Sequence, residues 1–182
     1  MNTRRTFSAA LLSLALLVGG APLQATTVVP VTVAQLAQRS DGVVLGTVRN
    51  TVSRWHEGFI VTDCEVVVDA VLQGASTLRA TTVFVRVAGG VVGTVGQYIP
   101  DATVLQPGRS YVLFLQGGEG RVRYLTHLTA AALPVSVDAG GRVVVDPAPG
   151  LVGLASGVTS AAPAVRVSMD ELSRAVSAAG PR

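Results

Sequence analysis

At 182 residues, with 49% hydrophobic and 14% charged side chains, the chain can bury the core of one domain. Its formal net charge of +3 comes from 14 arginines and 11 acids with no lysine; beyond Arg4-Arg5 the arginines are scattered singly, which is not the clustered basic footprint of a nucleic-acid binder. The single cysteine, Cys64, excludes an intramolecular disulfide, so the fold rests on packing.

The first residues, MNTRRTFSAALLSLALLVGGAPLQA, carry Arg4 and Arg5, an apolar run from Phe7 to Val18 and small residues ending at Ala25. That three-part layout is an export signal over residues 1–25, so residues 26–182 are expected to act in a periplasm or outside the cell. The apolar run is shorter than the about 20 residues of a spanning helix, and no stable membrane insertion is expected. Arg4 and Arg5 with Phe7 also fit the twin-arginine form, which leaves that route open beside the general secretory one. Without the leader, 12 arginines face 11 acids, close to neutrality.

Thr32 with Gln35 makes a capping box, Val31 and Leu36 take the staple positions, and Val33, Leu36 and Ala37 share a face, so a short helix is expected before Asp41-Gly42. GVVLGTVRNTVSRW and GFIVTDCEVVVDAVL then read as antiparallel strands joined at His56-Glu57. In the second strand, alternation sends Ile60, Thr62, Cys64, Val66, Val68 and Ala70 to the core and Asp63, Glu65 and Asp69 to solvent. TTVFVRV (with Val83, Val85 and Val87 on one face), SYVLFLQ, RVRYLTHLT and RVVVD follow as further strands. Short strands with turns rich in Gly, Asp and Pro indicate a mainly β barrel or sandwich, one domain over residues 26–182. Residues 146–167, rich in Pro, Ala, Gly and Ser, read as a connector. Ser168 and Glu171 open a helix over 168–179, with Leu172, Ala175, Val176 and Ala179 on one face and Gly180-Pro181 at its end.

The stretch VAGGVVGTVGQ holds Gly89, Gly90, Gly93 and Gly96. It lacks the lysine of a phosphate-binding P-loop, does not fit G-x-G-x-x-G, and runs into Pro100, which opposes a helix. The expected role is therefore a bent, bulged strand, with exposed backbone as a second use. His56-Glu57 begins like H-E-x-x-H, but position 60 is Ile, and the other histidine is the distant His127. GLASG puts its serine one place late for G-x-S-x-G. Cys64 falls on the apolar face as a small hydrophobe, and Asp170-Glu171 suit the first turn of a helix. Trp55, Phe59, Phe84, Tyr98, Tyr111, Phe114 and Tyr124 supply the aromatic rings. No catalytic residue, metal ligand or cofactor is expected.

The order RSDGVVLGTVRNTVSRW, TDCEVVVDAVLQG, TVFVRVAGGVVG and LQPGRSYVLFL, with Gly108, Tyr111, Leu113, Phe114 and Leu115 in the last segment, resembles the netrin-like module of tissue inhibitors of metalloproteinases. A group of bacterial exported proteins shares the layout. The similarity covers residues 32–130 and implies an OB-type barrel of about five to seven strands with a short N-terminal and a C-terminal helix, the barrel core lying over residues 32–145. Those inhibitors chelate a target's zinc through an N-terminal cysteine; the expected mature chain begins TTVVP, so that chemistry does not carry over. What the resemblance leaves is an exported, non-enzymatic binding protein. Its expected contact surfaces are the Trp55–Phe59 hairpin, with Trp55, His56 and Phe59, and the segment Gly89–Pro100, with Gly89, Gly90, Gly93, Gly96 and Tyr98. The expected partner is a protein or cell-wall component, a secreted protease if the chain is an inhibitor. The alternative from another class is a metal-dependent hydrolase built on His56, His127 and acids.

Overall fold

The computed structural model describes residues 30–74, 82–118, 120–154 and 166–180. The expected export signal and residues 155–165 of the expected connector lie outside them. Strand β1 (Val31–Thr32) passes directly into helix α1 (Val33–Arg39). The expected capping box is present: the Gln35 amide donates to Thr32 Oγ1 at 3.2 Å and the Thr32 amide to Gln35 Oε1 at 2.9 Å. Val31 and Leu36 are both buried in one core cluster. The helix stops where Ser40 turns extended, its hydroxyl donating to the Leu36 carbonyl at 2.7 Å.

Strands β2 (Gly42–His56) and β3 (Phe59–Gly74) form a long antiparallel hairpin. Its register slips at Val43/Val44, Leu45/Gly46 and Val48/Asn50, leaving Leu72, Asp69 and Arg49 as extra residues. Such bulges bend and twist a ribbon that would otherwise run flat. They also correct the expected face of β3. Ile60, Cys64 and Val66 are buried and Val68 packs beside them as expected, but the extra Asp69 shifts the phase, so that Val71 instead of Ala70 next joins that cluster.

The remaining elements are β4 (Thr82–Ala88), β5 (Gly90–Val92), β6 (Val95–Gln97), β7 (Ser110–Gln116), β8 (Val122–Leu125), β9 (Ala132–Val137), β10 (Val143–Val145), β11 (Leu151–Gly153), β12 (Val167–Ser168) and α2 (Met169–Ala179). The fold is mainly β, with two helices among the described residues. One sheet of eight strands runs in the order β12-β10-β9-β7-β2-β3-β4-β8. Strand β8 pairs parallel with β4 and antiparallel with β7, so the succession β7-β2-β3-β4-β8 returns to β7. Within the expected connector, β11 pairs parallel with β1 and β12 antiparallel with β10. Strand β9 holds Pro134, which gives no strand signal. Its carbonyl accepts from the Asp146 amide just past the end of β10, so the missing N–H removes no bond from that ladder.

Two apolar clusters share β7. Tyr111, Leu113 and Leu115 point into one, with Val44, Val48, Cys64, Val66, Val83, Val85 and Leu105. Val112 and Phe114 point into the other, with Leu36 and Ala37 of α1, Leu133 of β9, and Leu172 and Val176 of α2. The unbroken apolar run SYVLFLQ is what a strand buried on both faces requires. Helix α2 is capped as expected, with the Glu171 amide on Ser168 Oγ at 3.2 Å and the Ser168 amide on Glu171 Oε2 at 3.1 Å. Truncating the fully buried Leu172 removes side-chain packing from the cluster that joins both helices to the sheet. The Leu172→Ala protein is expected to lose about 3 kcal/mol in urea unfolding, whereas Ala175→Ser nearby should change little.

Candidate functional site

From Asn50–Glu65 to His56–Phe59 the β2–β3 register is regular, so the pleat alone assigns faces. Ser53 and Trp55 stand opposite Thr62 and Ile60 on the side of the buried Cys64; Arg54 and His56 stand opposite Val61 and Phe59 on the other. The turn is Glu57-Gly58, with φ of 50° and 84°, the paired positive values that match strand twist in a two-residue hairpin. His56 is thus the last residue of β2 and not part of the turn. The expected tip surface is divided: Trp55 faces the Gly-rich segment, whereas His56 and Phe59 face away from it.

The Gly-rich segment is a small hairpin of its own and not a bent strand of the main sheet. Strands β5 and β6 meet across Gly93-Thr94, with Gly93 at φ 61°. It is seated on the larger hairpin by one backbone and two side-chain-to-backbone bonds: Gly89 N donates to Ile60 O at 2.9 Å, Thr62 Oγ1 to Gly89 O at 2.7 Å, and Ile60 N to Gln97 Oε1 at 2.7 Å. A side chain at Gly90, φ 138°, would strike Ser53 Oγ and Thr62 Oγ1, and one at Gly89, φ 90°, would lie 2.8 Å from Gln97 O. Gly96 has room for a side chain, its nearest contact being Val91 Cγ2 at 3.7 Å. Between this hairpin and Ile99–Leu105 lies a half-open groove of about 450 Å³, lined among others by Val87, Ala88, Val91, Tyr98, Val104 and Leu105. Its floor is continuous with the core, since Leu105 and Val87 belong to the cluster inside the sheet.

The opposite face of the same strands is ionic. Asp63 accepts from Arg86 Nε at 2.6 Å and Nη2 at 3.1 Å, and from Arg54 Nε at 2.8 Å. Arg86 Nη1 lies 3.3 Å from His56 Nε2, and Arg49 meets Glu65 at 3.1 Å. Of the carboxylates expected in solvent, Asp69 is exposed, whereas Asp63 and Glu65 are paired with arginines, and the side chains of Arg86 and Asp63 are 10% and 18% exposed. Burial pushes the Asp63 carboxyl up, but the hydrogen bonds and charges of Arg86 and Arg54 outweigh it and hold the group below the usual carboxylate range. Bonding to Asp63 in turn raises the Arg86 guanidinium.

The two histidines serve different elements. His127 Nδ1 accepts from the Thr129 and Ala130 amides at 3.3 Å each, capping the turn before β9. Burial, and then the charge of Arg39, lower its affinity for a proton. Among the described residues no group of three His, Cys, Asp or Glu side chains is arranged to hold a metal. Cys64 is buried as expected, its thiol pushed up to about 12 by burial and then by the neighbouring Asp63 charge. No protein-family model matches the chain, and no curated protein matches its sequence.

Two outcomes are expected of these arrangements. The native protein should release no chromophore from Ellman's reagent over an hour at pH 8, then one equivalent in denaturant. A carboxyl held low in the folded state adds stability above its unfolded value, about 3.9, that is lost as pH falls through the folded value. Asp63→Asn should cost about 2 kcal/mol at pH 7, because Arg86 loses its partner. It should also flatten the decline between pH 4 and pH 2; an unchanged acid slope in urea titrations would assign that decline to other carboxylates.

Proposed function

We propose that this chain is an exported, non-enzymatic binding protein in which an OB- or netrin-like barrel presents one end to a macromolecular partner. The barrel reading is supported by the five-strand succession that returns to β7 with a single parallel pair, β4–β8, as suits a five-stranded Greek-key barrel. The observation that carries the binding reading is the apolar side chains left in solvent around the two hairpins. Trp55 is 52% exposed, Phe59 63%, Val91 65% and Tyr98 82%. Exposed apolar side chains on both faces of one end suit an interaction surface, and Trp and Tyr are the rings that most often dominate such surfaces.

The scaffold suits that role. Trp55 and Phe59 stand on paired backbone, so those rings are offered with little order left to impose on binding. The ionic side chains on the Phe59 face are paired with one another, which leaves apolar contact as the adhesive at this end. A secreted protease is one partner this reading accommodates, and inhibition would then follow from occupancy and not from zinc chelation.

The test is affinity capture from the producing cell's envelope and medium with residues 26–182 as bait. A reproducible partner is expected, and the Trp55→Ala/Tyr98→Ala double variant should bind it more weakly by about 2 kcal/mol or more with an unchanged circular dichroism spectrum. Equal capture by the double variant would remove these rings from the interface.

A further inference from the structure

We infer that the groove beneath the β5–β6 hairpin is a binding site for a single neutral acyl chain. No Asp, Glu, Arg or His lines it, whereas the groove on the opposite face of the same strands is lined by Arg54, Arg86, Asp63 and Glu65. A ligand lodged here gains nothing from charge and would have to shed water from any charge it carried. The hydroxyls of Thr62 and Thr103 are already given to the Gly89 and Leu128 carbonyls, at 2.7 Å and 2.8 Å. Gln97 spends its Oε1 on the Ile60 amide. Its Nε2, without a partner among the described residues, is left to donate to one carbonyl oxygen.

Size and shape select a chain. An apolar cavity of about 150 Å³ takes up benzene. The groove, at about 450 Å³, has room for roughly three times as many heavy atoms, or about twelve to sixteen carbons with their carbonyl. Beyond Val87, Ala88, Ala102 and Thr103, which line both, it adjoins a depression of about 100 Å³ lined by Tyr124, Leu125, Leu128 and Arg86, whose guanidinium is already bonded to Asp63. A path of that form follows an extended chain better than a compact ring system. This site does not depend on the macromolecular partner proposed above.

The test uses the purified protein and N-phenyl-1-naphthylamine, an uncharged probe that fluoresces in apolar surroundings. Emission should saturate at equimolar probe and be displaced by 1-monododecanoylglycerol but not by glycerol. Ala102→Trp fills the groove, and Val104→Asp puts a carboxylate on its wall at a position 73% exposed, where folding is not at stake. Each should weaken the probe by about tenfold or more, the scale set by an uncompensated charge or a lost apolar volume, with unchanged Tm. Absence of saturable emission, or undiminished affinity in Val104→Asp, would overturn the assignment. So would displacement by the captured partner but not by 1-monododecanoylglycerol, which would give the groove to a partner side chain.

Discussion

The burial of β7 on both faces is the constraint on which the rest of the structure depends. Residues 111–115 alternate between two apolar clusters without a polar position, so the strand is satisfied only if something covers each side. On one side the coiled ribbon of β2, β3 and β4 wraps over Tyr111, Leu113 and Leu115; on the other the two helices and β9–β10 close over Val112 and Phe114. A strand that pairs with β2, β8 and β9 as well ties the N-terminal helix, the sheet and the C-terminal helix into one packing problem. In a chain with no disulfide, that shared strand does the work of a cross-link.

The same arrangement decides where a ligand can be met. The helices and β9–β10 occupy the outer side of β7, and the core inside the sheet is filled along β2, β3 and β4 by Val44, Val66, Val83 and Val85. Filling stops towards the β2–β3 turn, where Ser53 and Thr62 replace branched apolar residues and bond to one another at 2.9 Å. The β5–β6 hairpin caps that end. It comes down onto the two hydroxyls because Gly90 has no side chain, and the space left between it and Leu105 is the groove.

What was legible in the sequence was local. Both capping boxes join residues three apart, and both helices begin where those residues place them. The bulges in β3 were not legible, because Val67, Val68, Val71 and Leu72 suit either face and only the register with β2 fixes the phase. Strands β11 and β12 exist through partners far along the chain, with no alternation of their own. At the site, Trp55, Phe59 and Tyr98 could be picked out by their place beside the Glu57-Gly58 turn and in the Gly-rich segment. Their division between two faces could have been read as well, since neighbours on a strand point opposite ways and Gly58 marks a two-residue turn that begins just after His56. The Asp63–Arg86 pair could not, because it rests on the β3–β4 register that sets those residues side by side.

The glycines show why a motif reading and a geometric reading of one segment part company. As a string, Gly89, Gly90, Gly93 and Gly96 resemble a loop made to hold a ligand by its amides. In the fold the first two are placed by pairing: the Gly89 amide bonds to Ile60 O, and Gly90 stands opposite Gln97 in the β5–β6 ladder. Three of the four answer to backbone geometry, two by positive φ with a close neighbour and one by the turn, while Gly96 has space for a side chain. The segment therefore contributes shape more than hydrogen bonds. Apolar walls close to bare backbone, with the Thr62 and Thr103 hydroxyls already bonded to carbonyls, favour ligands recognised by fit and desolvation over ligands recognised by charge.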